Sequence, residues 1–263
     1  MEEPKPKGLL ARLQAGDTVI CAGGYLLELE RRGYLQAGTF VPEVVIEHPD
    51  KVEALHREFV HAGSDVVLAL THYAHREKMR IIGREADLER MNRTALRLAR
   101  KVADDTGTLM AGNICKLNLF DPNDSGWKEK AEVMFKEQLE WAVEGGADFV
   151  VAESFFAFAE ALFALQCAKK YAKGKVAFPL DLDPWLCSRS QIAAFSRRAR
   201  ALGVRYLGLC CGNASHFTRA MAEALGRQPP ASRYTADMSK HAYYGTDPTL
   251  IDFNTQEVCK NKF

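Results

Sequence analysis

Residues 205–216 read RYLGLCCGNASH. Tyr206 to Leu209 is a strand-sized apolar run, Gly212 permits a bend, and from His216 the apolar spacing becomes helical. One strand, one turn and one helix form a unit. The fold depends on whether the rest of the chain repeats it.

Upstream it does, five times. Apolar runs occur at Thr18–Ile20, ending in CAGG, at Asp65–Tyr73 (DVVLALTHY), at Leu109–Cys115 (LMAGNIC), at Asp148–Ser154 (DFVVAES) and in KVAFPL from Lys175. Most are continuous rather than alternating, as in parallel strands covered on both faces. Helical spacing fills the intervals. Pro49 stands at a first turn, followed by Val52, Leu55 and Phe59; Leu88, Met91, Ala95, Leu98 and Val102 form a second stripe. Lys128–Glu144, Ala157–Lys173, Ser190–Leu202 and His216–Leu225 read the same way. Alternating strands and helices imply a parallel α/β sheet, open or closed into a barrel. No G-x-G-x-x-G follows the first run, so nothing supports a dinucleotide fold. Functional groups of such barrels sit at the C-terminal strand ends. Here those are Cys21–Gly24, Thr71–Tyr73, Asn113–Cys115, Glu153–Phe155 and Cys210–Gly212.

Composition bounds the class. The 263 residues are 47% hydrophobic, enough for a full core, and the 35 basic and 34 acidic residues give a net charge of +1. That balance predicts no nucleic-acid or membrane partner, and no apolar stretch approaches membrane-spanning length. MEEPKPKG lacks the apolar core of a secretory signal. Seven cysteines, an odd number without scaffold spacing, read as reduced thiols in the cytosol. Beyond Leu225 periodicity fades, so residues 227–263 form an extension after a domain at 1–226, either a free terminus or an oligomerisation arm.

Cys210 and Cys211 admit three readings. Neighbouring side chains on a strand point to opposite faces, so their sulfurs converge on a metal only if the chain bends at Cys211. A cysteine near a strand end is often a small buried hydrophobe. A vicinal redox pair requires a strained ring and lacks C-x-x-C spacing.

LGVRYLGLCCG, together with GGYLLELERRGYLQAG, EHPDKVEALHREFVHAGSDVV and the final PPAS, resembles the betaine–homocysteine and related homocysteine S-methyltransferases, from about Leu9 to Ser232. The resemblance implies a zinc-dependent (β/α)8 barrel that methylates homocysteine, with betaine or S-methylmethionine as donor, and a homo-oligomer. It matches Cys210 and Cys211 to two of three zinc thiolates. Glu153 matches the carboxylate that holds the homocysteine amino group, and Gly23 and Gly24 the first-strand loop at the substrate. Tyr73 and Phe40 fall where relatives place aromatic groups near the donor; ordinary packing is the alternative for both.

The chain also departs from that pattern. Six strand-like runs stand where the barrel needs eight, as though two βα units were deleted between KVA and FPL. The third zinc cysteine falls in the missing part. Cys21, Cys115 and Cys187 are the available substitutes, each also readable as an inert thiol. Ala22 replaces a homocysteine-binding aspartate, a loss of ~2–5 kcal/mol at a buried site. His72 replaces an aromatic residue and reads either as a substitute metal ligand or as hydrogen-bonded structure. The expectation is an incomplete, TIM-barrel-derived α/β fold of about six βα units. Two functions compete: an S-methyltransferase of impaired activity, and a non-catalytic partner of intact family members.

Overall fold

The computed structural model describes residues 8–36, 38, 40–124, 126–172, 176–177, 188–209, 213–235 and 237. Helix α1 (Leu9–Gln14) leads into strand β1 (Val19–Cys21). Helices α2 (Tyr25–Arg31), α3 (Val44–Glu47) and α4 (Pro49–His61) precede β2 (Val66–Leu68). Helices α5 (Arg76–Ile81) and α6 (Leu88–Thr106) then lead to β3 (Leu109–Cys115), α7 (Trp127–Glu144) to β4 (Phe149–Glu153), and α8 (Phe158–Tyr171) to β5 (Val176–Ala177). Helix α9 (Arg189–Ala201), β6 (Tyr206–Gly208) and α10 (Ser215–Ala224) complete the order. Their ends follow local chemistry. Pro49 occupies the first turn of α4, Gly107 ends α6 in the left-handed region, and Ser188 with Gln191 forms a reciprocal capping box on α9.

All strand pairs are parallel, in the order β5-β4-β3-β2-β1-β6. The last strand pairs with the first, as in a closed barrel, yet among the described residues β5 and β6 each have one neighbour. The opening therefore falls between the fifth and sixth strands, where two βα units are missing by comparison with a complete barrel.

The sheet nonetheless curls. Four strand spacings separate β4 from β6, which would be ~19 Å on a flat sheet. The rings of Phe149 and Tyr206, on those two strands, are 6.1 Å apart at their centroids and nearly perpendicular. Their meeting defines a concave face, shared with Val19, Cys21, Val66, Leu68, Ala111 and Val151. Alternate residues face outward. Val67, Met110, Ile114, Val150 and Ala152 pack with Leu96, Phe135 and Leu139 of α6 and α7, while Ile20 and Leu207 pack with Ile192 and Met221 of α9 and α10. Gly112 lets α7 approach, because a Cβ there would lie 2.8 Å from that of Ala142.

The N-terminal rim is tied by charge. Asp65, just before β2, accepts from Arg12 Nη2 at 2.7 Å, from the Ile20 amide at 2.9 Å and from Arg227. The two guanidiniums outweigh the effect of burial, which alone would raise its pKa, and hold the carboxyl below its ordinary range.

The run expected as one strand from Asp65 to Tyr73 is strand only over Val66–Leu68. Thr71 Oγ1 donates to the Asn113 carbonyl at 2.8 Å, and Tyr73 has a φ of 58°, so the chain turns across the end of β3. Contacts divide the chain into two compact units, Met1–Pro230 and Ala231–Phe263. In the second, the Thr235 amide donates to the Ser232 carbonyl at 2.9 Å. No described helix is long and apolar enough to cross a membrane.

Candidate active site at the C-terminal strand ends

Four described non-glycine residues have left-handed backbone: Phe40, Tyr73, Asn118 and Ser154. Phe40 lies in the β1–β2 connection, and the other three follow β2, β3 and β4 within a few residues. Each such conformation costs ~1–3 kcal/mol unless its surroundings enforce it, and such residues collect at functional sites. Here all four belong to connections that leave the C-terminal ends of strands.

At Tyr73 the enforcing contacts are visible. Its amide donates to Cys115 Sγ at 3.2 Å, and the next carbonyl, of Ala74, accepts from Asn92 Nδ2 at 2.9 Å and Gln138 Nε2 at 3.2 Å. With Thr71 already bonded to β3, the segment 71–74 is fixed at both ends. Lys78 Nζ stands 4.3 Å from the centroid of the Tyr73 ring, and the His72 ring is also at 4.3 Å.

Glu153 ends β4 on the concave face. Its Oε1 accepts from Asn113 Nδ2 at 2.6 Å and lies 3.2 Å from His72 Nδ1; no described residue donates to Oε2. The side chains of His72 and Glu153 are 17% and 18% exposed, so the pair is screened but reachable. Burial would raise the Glu153 pKa. The contacts with His72 and then Asn113 more than offset that and hold the carboxyl below its ordinary value. The site thus presents an ionised carboxylate with one oxygen engaged from within.

The first-strand loop is shaped by close packing. A Cβ on Gly23 would stand 2.7 Å from the Leu209 carbonyl oxygen, and Asn213 Nδ2 donates to the Gly23 carbonyl at 3.3 Å. The immediate neighbour of Gly23 is therefore the end of β6. Gly24 supplies the left-handed N-cap of α2, and Ala22 is buried. Phe40 is 38% exposed and has no ring contact among the described residues.

Cys210, Cys211 and Cys187 lie outside the described residues. Of the other candidate metal ligands, burial pushes the Cys21 and Cys115 thiols up to about 12 each, so both are protonated at neutral pH. His72 is turned to Glu153. Among the described residues no group of three or more His, Cys, Asp or Glu could hold a metal, so these residues alone do not fit a zinc ion.

The structure brings Glu153, His72, Asn113, Thr71, Tyr73 and Cys115 into one network, and Gly23 against Leu209. Asn113 had a signal in the sequence, as the polar residue inside the apolar run LMAGNIC, but nothing there linked it to Glu153.

A family model described as Homocysteine S-methyltransferase matches residues 19–256. Betaine–homocysteine S-methyltransferase 1 of Mus musculus is 29% identical over 343 residues, which takes in 95% of this chain and 81% of the relative. The S-methylmethionine–homocysteine S-methyltransferase of Pongo abelii is 30% identical, covering 95% and 88%. The mouse alignment is longer than the 263-residue chain, so at least 80 of its positions (343 less 263) have no counterpart here. That is ample for two βα units. Among solved structures, the homocysteine methyltransferase MmuM from Escherichia coli in its oxidized form superposes with a TM-score of 0.65 at 17% identity, over 80% of this chain and 96% of that one. Its metallated form gives 0.64. At that identity the likeness speaks to fold.

Proposed function

The chain belongs to the homocysteine S-methyltransferase family, and from that premise we propose that it transfers a methyl group from betaine or S-methylmethionine to the sulfur of homocysteine. An S–CH3 bond forms at the acceptor while the N–CH3 or S–CH3 bond of the donor breaks. The products are methionine and the demethylated donor. The observation that carries this reading is Glu153: a carboxylate kept ionised on the concave face, with Oε2 unclaimed by any described residue. Such a group suits the ammonium of an amino acid.

In this proposal Gly23 and Gly24 line the first-strand side of the substrate, while Tyr73 and Phe40 serve the donor. Zinc, held by Cys210 and Cys211, would supply the sulfur as a thiolate; those two cysteines are assigned by family resemblance. A cytosolic location is supported by the unpaired thiols of Cys21, Cys115 and Cys167.

The test is methionine formation from homocysteine with each donor, alongside metal analysis of protein purified without chelator. Methionine from one donor, abolished in Glu153→Gln, is the expected result. No methionine from either donor overturns the assignment. The opening between β5 and β6 favours a second reading, a non-catalytic partner of intact family members. It requires co-purification with such a relative.

A further inference from the structure

The family resemblance gives the substrate ammonium the Glu153 carboxylate, and this chain has Ala22 in place of a second carboxylate that contacts homocysteine. The described structure offers a replacement on a different strand. Asn113 is 3% exposed, and its Nδ2 donates to Glu153 Oε1 at 2.6 Å. That bond fixes the orientation of the amide, since the oxygen turned the other way would face a carboxylate. Asn113 Oδ1 is consequently directed away from Oε1. It is buried and has no hydrogen-bond partner among the described residues. A buried acceptor left unpaired costs ~1–3 kcal/mol, which a ligand donor at that point would recover.

The surrounding network keeps both acceptors in place. Thr71 Oγ1 holds the Asn113 carbonyl at 2.8 Å, and His72 Nδ1 approaches Oε1 at 3.2 Å from the turn that follows β2. Oε1 thus accepts from Asn113 and faces His72 Nδ1, while no described residue donates to Glu153 Oε2 and Asn113 Oδ1 has no partner among the described residues. An ammonium has three N–H donors and no acceptor, which complements one charged and one neutral oxygen.

We propose that Asn113 is a substrate-binding residue whose Oδ1 accepts from the α-ammonium of the thiol substrate, taking the part of the carboxylate absent at Ala22. The site therefore selects amino thiols over thiols of the same length that lack the amino group. This inference rests on the function proposed above.

Direct binding by calorimetry separates the two. The probes are homocysteine and 4-sulfanylbutanoate, its counterpart without the amino group. The proteins are the full chain, Asn113→Ala and the near-isosteric Asn113→Leu, each with folding verified by thermal melting. Homocysteine affinity is expected to fall about tenfold to a hundredfold in both variants, the range for a hydrogen bond to a charged group. Binding of 4-sulfanylbutanoate should stay within about twofold. Equal losses for both ligands, or no loss for homocysteine, overturn the role of Asn113 and leave the family reaction standing. If the unsubstituted chain binds neither ligand, the homocysteine reading fails and the inference fails with it.

Discussion

His72 Nδ1 stands 3.2 Å from Glu153 Oε1, a contact from the turn after β2 to the end of β4 that passes over the end of β3. Burial opposes ionisation of Glu153, and the His72 contact is the largest effect against it. Replacing His72 with phenylalanine removes that support but keeps an aromatic ring. The Glu153 carboxyl should then titrate at higher pH, where burial prevails. The unsubstituted protein keeps its carboxylate as pH falls, losing it only near the depressed folded value. In His72→Phe the acid limb of homocysteine binding should move to higher pH. Binding measured from pH 4 to 8 checks this, and unchanged limbs would remove His72 from the site.

Asp65 carries the corresponding argument for stability. Its carboxyl is held low by Arg227 and Arg12 against burial. A depressed folded pKa contributes stability that is full above the unfolded value, near 3.9, and is lost as pH falls through the folded value. Asp65→Asn removes one of the two carboxylates beside the Arg12 and Arg227 guanidiniums and leaves them Asp17, at 2.6 and 3.3 Å, a loss of ~1.5–3 kcal/mol. Urea unfolding at pH 7 should show that difference, and it should shrink toward pH 2.5. A variant as stable as the parent at neutral pH would mean the cluster is solvated.

Residues differed in how far they could be read from sequence. Continuous apolar runs located every strand of the described sheet, because parallel strands covered on both faces leave that pattern, and six runs anticipated a sheet too small to close. DVVLALTHY did not announce its own end. Leu70 is as apolar as the strand, and the turn is made by Thr71 and Tyr73 bonding to β3. Glu153 was legible as an acidic residue closing an apolar run. Its partners were not, since His72 and Asn113 meet it only once three strands lie side by side. Pairwise chemistry between strands far apart in sequence has no local signature.

Cys21 and Cys115 offer a chemical check on the concave face. Burial pushes each thiol up to about 12, and that of Cys167 to about 11. The thiolate is the reactive form, so less than about one part in a thousand of each is available at pH 8. Brief iodoacetamide treatment of the native chain, read by peptide mass spectrometry, should leave all three unmodified. Unfolding in urea should expose them together. Rapid native labelling of Cys21 or Cys115 would show that the concave face is open to solvent.

Gly23 tests the contact between the first and last strands. Alanine there would put a methyl 2.7 Å from the Leu209 carbonyl oxygen, and the obstacle is backbone, so β6 or the loop must shift. Leu209 immediately precedes Cys210. Gly23→Ala should therefore weaken homocysteine binding about tenfold or more and lower the thermal midpoint by several degrees, a strain of ~1–3 kcal/mol. If binding and midpoint match the parent, the loop is free to move and takes no part in the site.

The opening between β5 and β6 makes the last prediction. A parallel sheet that stops short of closure leaves strand edges unpaired and uncovers the helices beside them. Helix α8 flanks β5, and just before it and at its start Phe156 and Phe158 are 81% and 82% exposed; Leu202, directly after α9 on the β6 side, is 76% exposed. Lys116 Nζ lies 4.0 Å from the Phe156 ring centroid, which covers only part of it. Phe156 and Phe158 follow the C-terminal end of β4, whereas Leu202 precedes the N-terminal end of β6, so the two aromatic rings are the exposed apolar pair that favours burial against another copy of the chain. Sedimentation velocity across a hundredfold concentration range should show reversible association, weakened by the double substitution Phe156→Ser and Phe158→Glu with no loss of thermal midpoint. A monomer at every concentration would mean that these side chains are not an interface and that the second reading of function loses its structural support.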